Sequence, residues 1–187
     1  MILREVNQND YKEILKIYRY YIENTTVTFE YEVPCEEDFG QRIKEISSKY
    51  PYIVAEDNGR VVGYAYGDAC FSTRMAYSWD SDISVYISKE YQGKGLGKRL
   101  YTALETLLKA LGYVTLYAIV TGENKNSIAF HEGMGYTEVG DFPHSGYKMG
   151  KWLNVVFFTK RIGALDDPGD VPKNAPESGV YKLLKDL

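Results

Sequence analysis

Residues 91–100, Tyr-Gln-Gly-Lys-Gly-Leu-Gly-Lys-Arg-Leu, carry glycine at 93, 95 and 97 and end on paired cations. An alternating segment, Asp80 to Ser88, runs into this turn, and a leucine stripe leaves it. A strand that feeds a glycine turn and then a helix leaves the first helical N–H groups without intrahelical partners, an arrangement that binds anions. Gly93, Gly95 and Gly97 let the backbone approach a bulky anion, Gln92 adds a side-chain donor, and Lys94, Lys98 and Arg99 raise the local potential. A pyrophosphate fits such a turn. The P-loop does not match, because Gly97-Lys98 is followed by Arg99 rather than Ser or Thr. The dinucleotide fingerprint fails too, since Gly93-Lys94-Gly95 would need glycine where Lys98 stands.

Other chemistries are less favoured. Cys35 and Cys70 lack CxxC spacing and His131 and His144 do not stand at ligand spacing with them, so no metal site is expected. A net charge of −4 argues against nucleic acid, whose non-specific affinity needs many cations on one face. Acidic and basic residues within Met1–Glu5 leave no legible signal peptide or membrane anchor, so a cytoplasmic protein is expected.

The elements that must hold the turn follow from periodicity. Residues 2–6 read as a strand, and Asp10 is placed to cap a helix that puts Ile14, Tyr18, Tyr21 and Ile22 on one face. A second helix follows through Phe39, Ile43 and Ile46 and ends by Pro51. Asn58-Gly59 predicts a type I′ hairpin between residues 52–56 and 61–69. Leu96, Leu100, Leu104, Leu107, Leu108 and Leu111 mark the long helix after the turn, and Gly112 ends it. A strand at 114–121, a short helix stopped by Gly133 and Gly135, and strands at 136–142 and 152–161 complete the order β-α-α-β-β-β-α-β-α-β-β. The expected fold is α/β (α+β), one mixed, mostly antiparallel sheet flanked by helices. It forms a single domain over residues 1–162, with 163–187, rich in Pro, Gly and Asp, as an extension and not a domain.

Gln92-Gly93-Lys94-Gly95-Leu96-Gly97 resembles the Q/R-x-x-G-x-G/A acetyl-CoA loop of the GNAT superfamily of N-acetyltransferases, and the strand order is similar to theirs. Residues 20–30 (YYIENTTVTFE), 50–56 (YPYIVAE), 84–101, 126–136 (NSIAFHEGMGY) and 146–152 (GYKMGKW) resemble successive blocks of its phosphinothricin acetyltransferase family. The likeness spans about residues 1–161. It implies acetyl-CoA as donor and the α-amino group of a small amino acid, such as phosphinothricin or methionine sulfoximine, as acceptor. A GNAT enzyme acting on a polyamine or peptide N-terminus, a non-catalytic acyl-CoA sensor and an interaction module built on the tail are the alternatives.

Within that resemblance, an amino acid arrives as an ammonium and must lose a proton before attack. Asp82 is the candidate base, standing where the family usually has glutamate. His131 replaces the tyrosine that many GNAT enzymes place seven residues after the motif asparagine, here Asn124. It can donate to the departing thiolate or act as the base itself. The cofactor is expected against Val85, Tyr86 and Ile87, the turn from Gln92 through Gly93, Lys94, Gly95, Leu96, Gly97 and Lys98, and Asn124 and Ser127. Arg74 is the expected partner of a substrate carboxylate, with Phe29 and Tyr77 as aromatic walls. Residues 146–152 match the segment with which family members complete a neighbour's site, so a homodimer is expected.

Overall fold

A computed structural model describes residues 1–71 and 74–187. Its elements follow the anticipated order: β1 (Ile2–Glu5), α1 (Tyr11–Asn24), α2 (Glu36–Ser47), β2 (Tyr52–Asp57), β3 (Arg60–Ala69), β4 (Asp80–Ile87), α3 (Leu96–Leu111), β5 (Thr115–Thr121), α4 (Lys125–Gly133), β6 (Thr137–Lys148) and β7 (Lys151–Arg161). The seven strands form one sheet in the order β1-β2-β3-β4-β5-β7-β6. The β4–β5 pair is parallel and the other neighbours are antiparallel. The turn joining β2 to β3 has Asn58 and Gly59 at φ 50° and 76°, as a type I′ turn demands.

Each face of the sheet is covered by the helices whose apolar stripes the sequence displays. The leucines of α3 pack with Ile53, Ala55, Ile83 and Leu116 on one side. Ile14, Tyr18 and Ile22 of α1 and Phe39 and Ile43 of α2 pack with Tyr52, Val54 and Tyr64 on the other. Tyrosines floor this second layer: the rings of Tyr52, Tyr64, Tyr66 and Tyr86 stack in a row across β2, β3 and β4.

Two expectations change. Asp10 does not cap α1; its carboxylate takes both guanidinium nitrogens of Arg4 at 2.7 and 2.8 Å and the Asn7 N–H at 2.8 Å. An ion pair with a nearby guanidinium outweighs a single cap bond. Strand β6 runs to Lys148 rather than stopping near Phe142, with register shifts absorbing the irregularity, and turns into β7 at Met149-Gly150. The tail is also part of the core: Ala175 of α5 (Ala175–Ser178), Val180 and Leu184 join the α3 layer, and Tyr52 N–H donates to the Tyr181 hydroxyl at 3.1 Å.

What matters for function is a fork. β4 and β5 pair at Asp80↔Thr115, Ser81↔Leu116 and Asp82↔Tyr117 and then part, β5 staying with β7. The far end of β4 delivers the chain to the glycine turn.

Candidate active site

The fork opens into a groove of about 720 Å³ lined by Val85, Ile87, Gln92, Gly93, Gly95, Gly97, Lys98, Asn124 and Ser127, with Tyr20, Tyr21, Thr25, Val27, Asn126 and Phe130. Gly93 and Gly95 have φ of 71° and 81°, a region that side chains disfavour. Gly95 is the N-terminal cap of α3 and makes no side-chain cap bond; the first helical bond is Arg99 N–H to Gly95 C=O. The N–H groups of Leu96, Gly97 and Lys98 are thus open to an anion. A Cβ on Gly97 would stand 3.3 Å from Ile87 Cδ1 and 3.6 Å from Phe130, so glycine lets the helix start close against the groove wall.

Not every expected residue reaches this groove through its side chain. Leu96 is buried in the α3 layer and offers only its backbone. Lys94 lies over the Tyr91 ring at 5.3 Å. Tyr86 belongs to the tyrosine row on the opposite face of the sheet. Because Ser88 N–H bonds Val62 on β3, strand alternation turns the backbone of Tyr86 toward β3 and that of Val85 and Ile87 toward the fork. Tyr21, which the sequence places on the apolar face of α1, instead reaches the fork. Its hydroxyl donates to Ile87 C=O at 2.6 Å and accepts from Ile87 N–H at 3.2 Å and from Gln92 Nε2 at 2.9 Å. Its partial burial among the i, i+4 neighbours of α1 gave no sequence signal for that role.

Asn124 caps α4 by accepting the Ser127 N–H at 3.1 Å, which holds both residues at the groove. His131, one turn on, is buried behind them. Nδ1 bonds Ser127 C=O at 2.7 Å, and a carbonyl only accepts, so Nδ1 carries the proton. Nε2 then accepts from the Tyr101 hydroxyl at 2.8 Å. The ring stacks on Phe158, and burial holds its pKa below the usual 6.5, so it is neutral at pH 7. Both nitrogens are engaged, Nδ1 by the groove residue Ser127 and Nε2 by Tyr101, and the ring lies buried behind the wall.

Asp82 stands at the last pair before β4 and β5 part, opposite Asp68 on β3 and Tyr117 on β5. Its Oδ1 is buried without a hydrogen-bond partner. Loss of solvation, then the charge of Asp68, pushes this carboxyl up to about 7, against a bond from the Ile83 N–H. On the acceptor side, Arg74 is exposed at the start of the short turn Met75–Tyr77. Tyr77 contacts Phe71 at 5.5 Å and Phe71 contacts Tyr117 at 4.9 Å, so an aromatic row leads from Tyr77 toward the strand pair that holds Asp82. Phe71, which the sequence did not single out, adopts φ 55°, unusual for a bulky side chain.

Phe29 packs elsewhere than on Asp82: it fills the space over Gly146 on β6, where a Cβ would overlap its ring. Its segment is tied down by Thr121 Oγ1 to Thr26 C=O at 2.6 Å, by buried Lys148 to Thr28 C=O at 2.7 Å, and by the Tyr31 hydroxyl to Tyr147 C=O. Residues 146–152 form the tip of the β6–β7 hairpin, with Tyr147, Met149 and Trp152 exposed.

Residues 3–157 match the family described as acetyltransferase (GNAT) domain. The chain belongs to the GNAT family. Among relatives, a phosphinothricin N-acetyltransferase of Streptomyces viridochromogenes is 34% identical over 84% of this chain and 86% of its own. An L-methionine sulfoximine/L-methionine sulfone acetyltransferase of Salmonella typhimurium is 33% identical over 60% of this chain and 66% of its own. The crystal structure of a GNAT superfamily phosphinothricin acetyltransferase from Sinorhizobium meliloti in complex with AcCoA superposes with a TM-score of 0.83 at 37% identity, covering 86% of this chain and 88% of that one. The protein is thus a GNAT acetyltransferase, and its fold is theirs. The tail after residue 161 lies beyond the matched segment.

Proposed function

We propose that this GNAT enzyme transfers acetyl from acetyl-CoA to the α-amino group of a small amino acid or glutamine-synthetase inhibitor of the phosphinothricin and methionine sulfoximine type. Transfer proceeds by direct attack in a ternary complex. The observation that carries the reading is Asp82, whose Oδ1 is buried without a hydrogen-bond partner and whose carboxyl is pushed up to about 7, at the last pair before β4 and β5 part, on the strand that runs on to an uncapped helix N-terminus.

The groove residues fit acetyl-CoA. Gln92, Gly93, Lys94, Gly95, Leu96, Gly97 and Lys98 would hold its diphosphate through main-chain N–H groups and positive potential. Val85 and Ile87 would offer their fork-side backbone groups to the pantetheine amides, as in strand addition, with Asn124 and Ser127 opposite. Tyr21 already satisfies both groups of Ile87 in this state, so it must yield there or leave Val85 as the partner. Acetyl-CoA supplies an activated acyl group.

The chain's own residues prepare the acceptor. Asp82 takes the ammonium proton onto a carboxylate oxygen, Arg74 holds the substrate carboxylate, and Tyr77 with Phe71 bounds its side chain. His131 keeps Ser127 and Tyr101 in place. Phe29 closes the segment over β6. The exposed hairpin tip, with Tyr147, Met149 and Trp152, is the surface proposed for a homodimer, and the two free cysteines suit a reducing cytoplasm. Residues 1–162 are the catalytic domain and 163–187 a clasp across its α3 layer.

A thiol-release assay with acetyl-CoA against phosphinothricin, methionine sulfoximine, methionine sulfone, common amino acids and polyamines tests the reading. Turnover with the first group is expected, and Arg74→Ala should raise KM for carboxylate-bearing acceptors about tenfold or more. A response confined to polyamines would reject the acceptor class.

A further inference from the structure

β3 and β4 set two carboxylates opposite each other. Asp68 and Asp82 are direct partners in the antiparallel ladder, so their side chains leave the same face of the sheet at neighbouring positions. Like charges so placed weaken a sheet. Among the described residues neither carboxyl enters an ion pair. Asp68 Oδ1 accepts the Ala69 N–H at 2.7 Å, whereas Asp82 Oδ1 is buried with nothing to accept from. A repulsive pair at the point where β4 and β5 part calls for a functional account.

Titratable groups coupled to Asp82 are Tyr66 and Asp68 of β3, Cys70 beyond it, Tyr86 of β4, Tyr101 of α3 and Tyr136 ahead of β6. Asp80 shares its face of β4, and Tyr117 pairs with it on β5. Arg161 of β7 acts on Asp80 and Tyr117, not on Asp82. Each group coupled to Asp82 is neutral or negative when it titrates, so each added negative charge favours protonation of Asp82.

We propose that Asp68 is a positioning residue of the acetyl transfer: its carboxylate, directly across the ladder, makes Asp82 an acceptor for the substrate's ammonium proton near neutral pH. This rests on Asp82 being the base. In that step an N–H bond of the ammonium breaks, the proton joins a carboxylate oxygen of Asp82, and the nitrogen keeps the electron pair it needs for attack. An ordinary carboxylate binds a proton about 10⁴-fold more weakly than an α-amine, and the opposed charge narrows that mismatch. Asp68 is itself raised by burial, so the two behave as a coupled pair.

The test combines pH profiles of kcat/KM for wild type, Asp68→Asn, Asp68→Glu and Asp82→Asn with direct carboxyl titration by NMR of 13C-labelled aspartate. Wild type should lose activity as pH falls through about 7. Asp68→Asn should move both the acid limb and the Asp82 carboxyl midpoint down by roughly one pH unit. At pH 6 the fraction of base ionised then rises about fivefold. Asp68→Glu should restore the wild-type limb in part. A merely structural Asp68 would lower activity at every pH and leave the limb in place, which would overturn the inference. Should Asp68→Asn fold poorly, the carboxyl midpoint in Asp68→Glu must still stay within about 0.3 pH units of wild type, and a fall by roughly one would overturn it. Full activity in Asp82→Asn would remove the base and this inference together, whereas a dead Asp82→Asn with an unmoved limb in Asp68→Asn removes this inference alone.

Discussion

Replacing Asp82 by asparagine should make the protein more stable and less active at once, and the stability gain should depend on pH in a way fixed by the site. The carboxyl titrates near 3.8 when solvated and at about 7 in the fold. A folded-state pKa raised above the unfolded value means the native state binds more protons between those limits, so stability falls as pH rises through that window and is flat outside it. The folded carboxyl therefore holds its proton about 10³-fold more tightly than the unfolded one, which amounts to ~4 kcal/mol held against folding above pH 7. Asparagine keeps the size and loses the charge. The difference in stability between Asp82→Asn and wild type should therefore widen by ~2 to 3 kcal/mol between pH 5 and pH 8.5, or on the order of 5–10 °C in Tm for a chain of this length. Over the same change kcat should fall about 10²- to 10⁴-fold, the worth of a positioned base. Thermal melts at the two pH values, paired with thiol release, measure both. A stability difference that stays constant with pH would show that Asp82 is not held protonated by its surroundings, and the reasoning from burial to base would fail.

Other expectations follow from the groove and its supports. Gly95→Ala places a Cβ at φ 81° and should cost ~1 to 2 kcal/mol in stability while raising KM for acetyl-CoA, read by melting and by saturation kinetics. Tyr21→Phe removes the hydroxyl that ties Ile87 to Gln92; a several-fold change in KM for acetyl-CoA with kcat nearly unchanged is the expected split. His131→Phe leaves the Tyr101 hydroxyl and Ser127 C=O without their ring partner in the interior, so a loss of ~2 to 4 kcal/mol in denaturant titration should accompany any fall in activity. Removing residues 164–187 uncovers the α3 layer where Ala175, Val180 and Leu184 are buried; a clearly lower Tm is expected, and an unchanged one would show that the clasp contributes nothing.

Much of this protein was legible in one dimension because it depends on local rules. Alternation, the three- and four-residue leucine spacing of α3, the Asn58-Gly59 turn and the spacing of Gly93, Gly95 and Gly97 each describe a few consecutive residues, and each reappears in the fold. The residues that misled did so through partners distant in the chain. Asp10 had the right type and place for a cap, but Arg4 claims it from β1. Nor did the sequence place His131, whose ring Tyr101 of α3 holds in the interior. The direction of the Tyr86 ring, which joins the tyrosine row, was likewise set by strand pairing. The tail offered too little periodicity to place, because its few apolar residues gain their burial from α3.

The sequence by itself determined that a strand, a glycine turn and an amphipathic helix follow one another, since backbone sterics and side-chain spacing act between neighbours in the chain. Only the tertiary structure decided that Asp68 meets Asp82, that β4 and β5 part just beyond that pair, and that Tyr21 reaches into the fork. Register between strands and burial from solvent arise when distant segments pack, and they set how tightly Asp82 holds a proton.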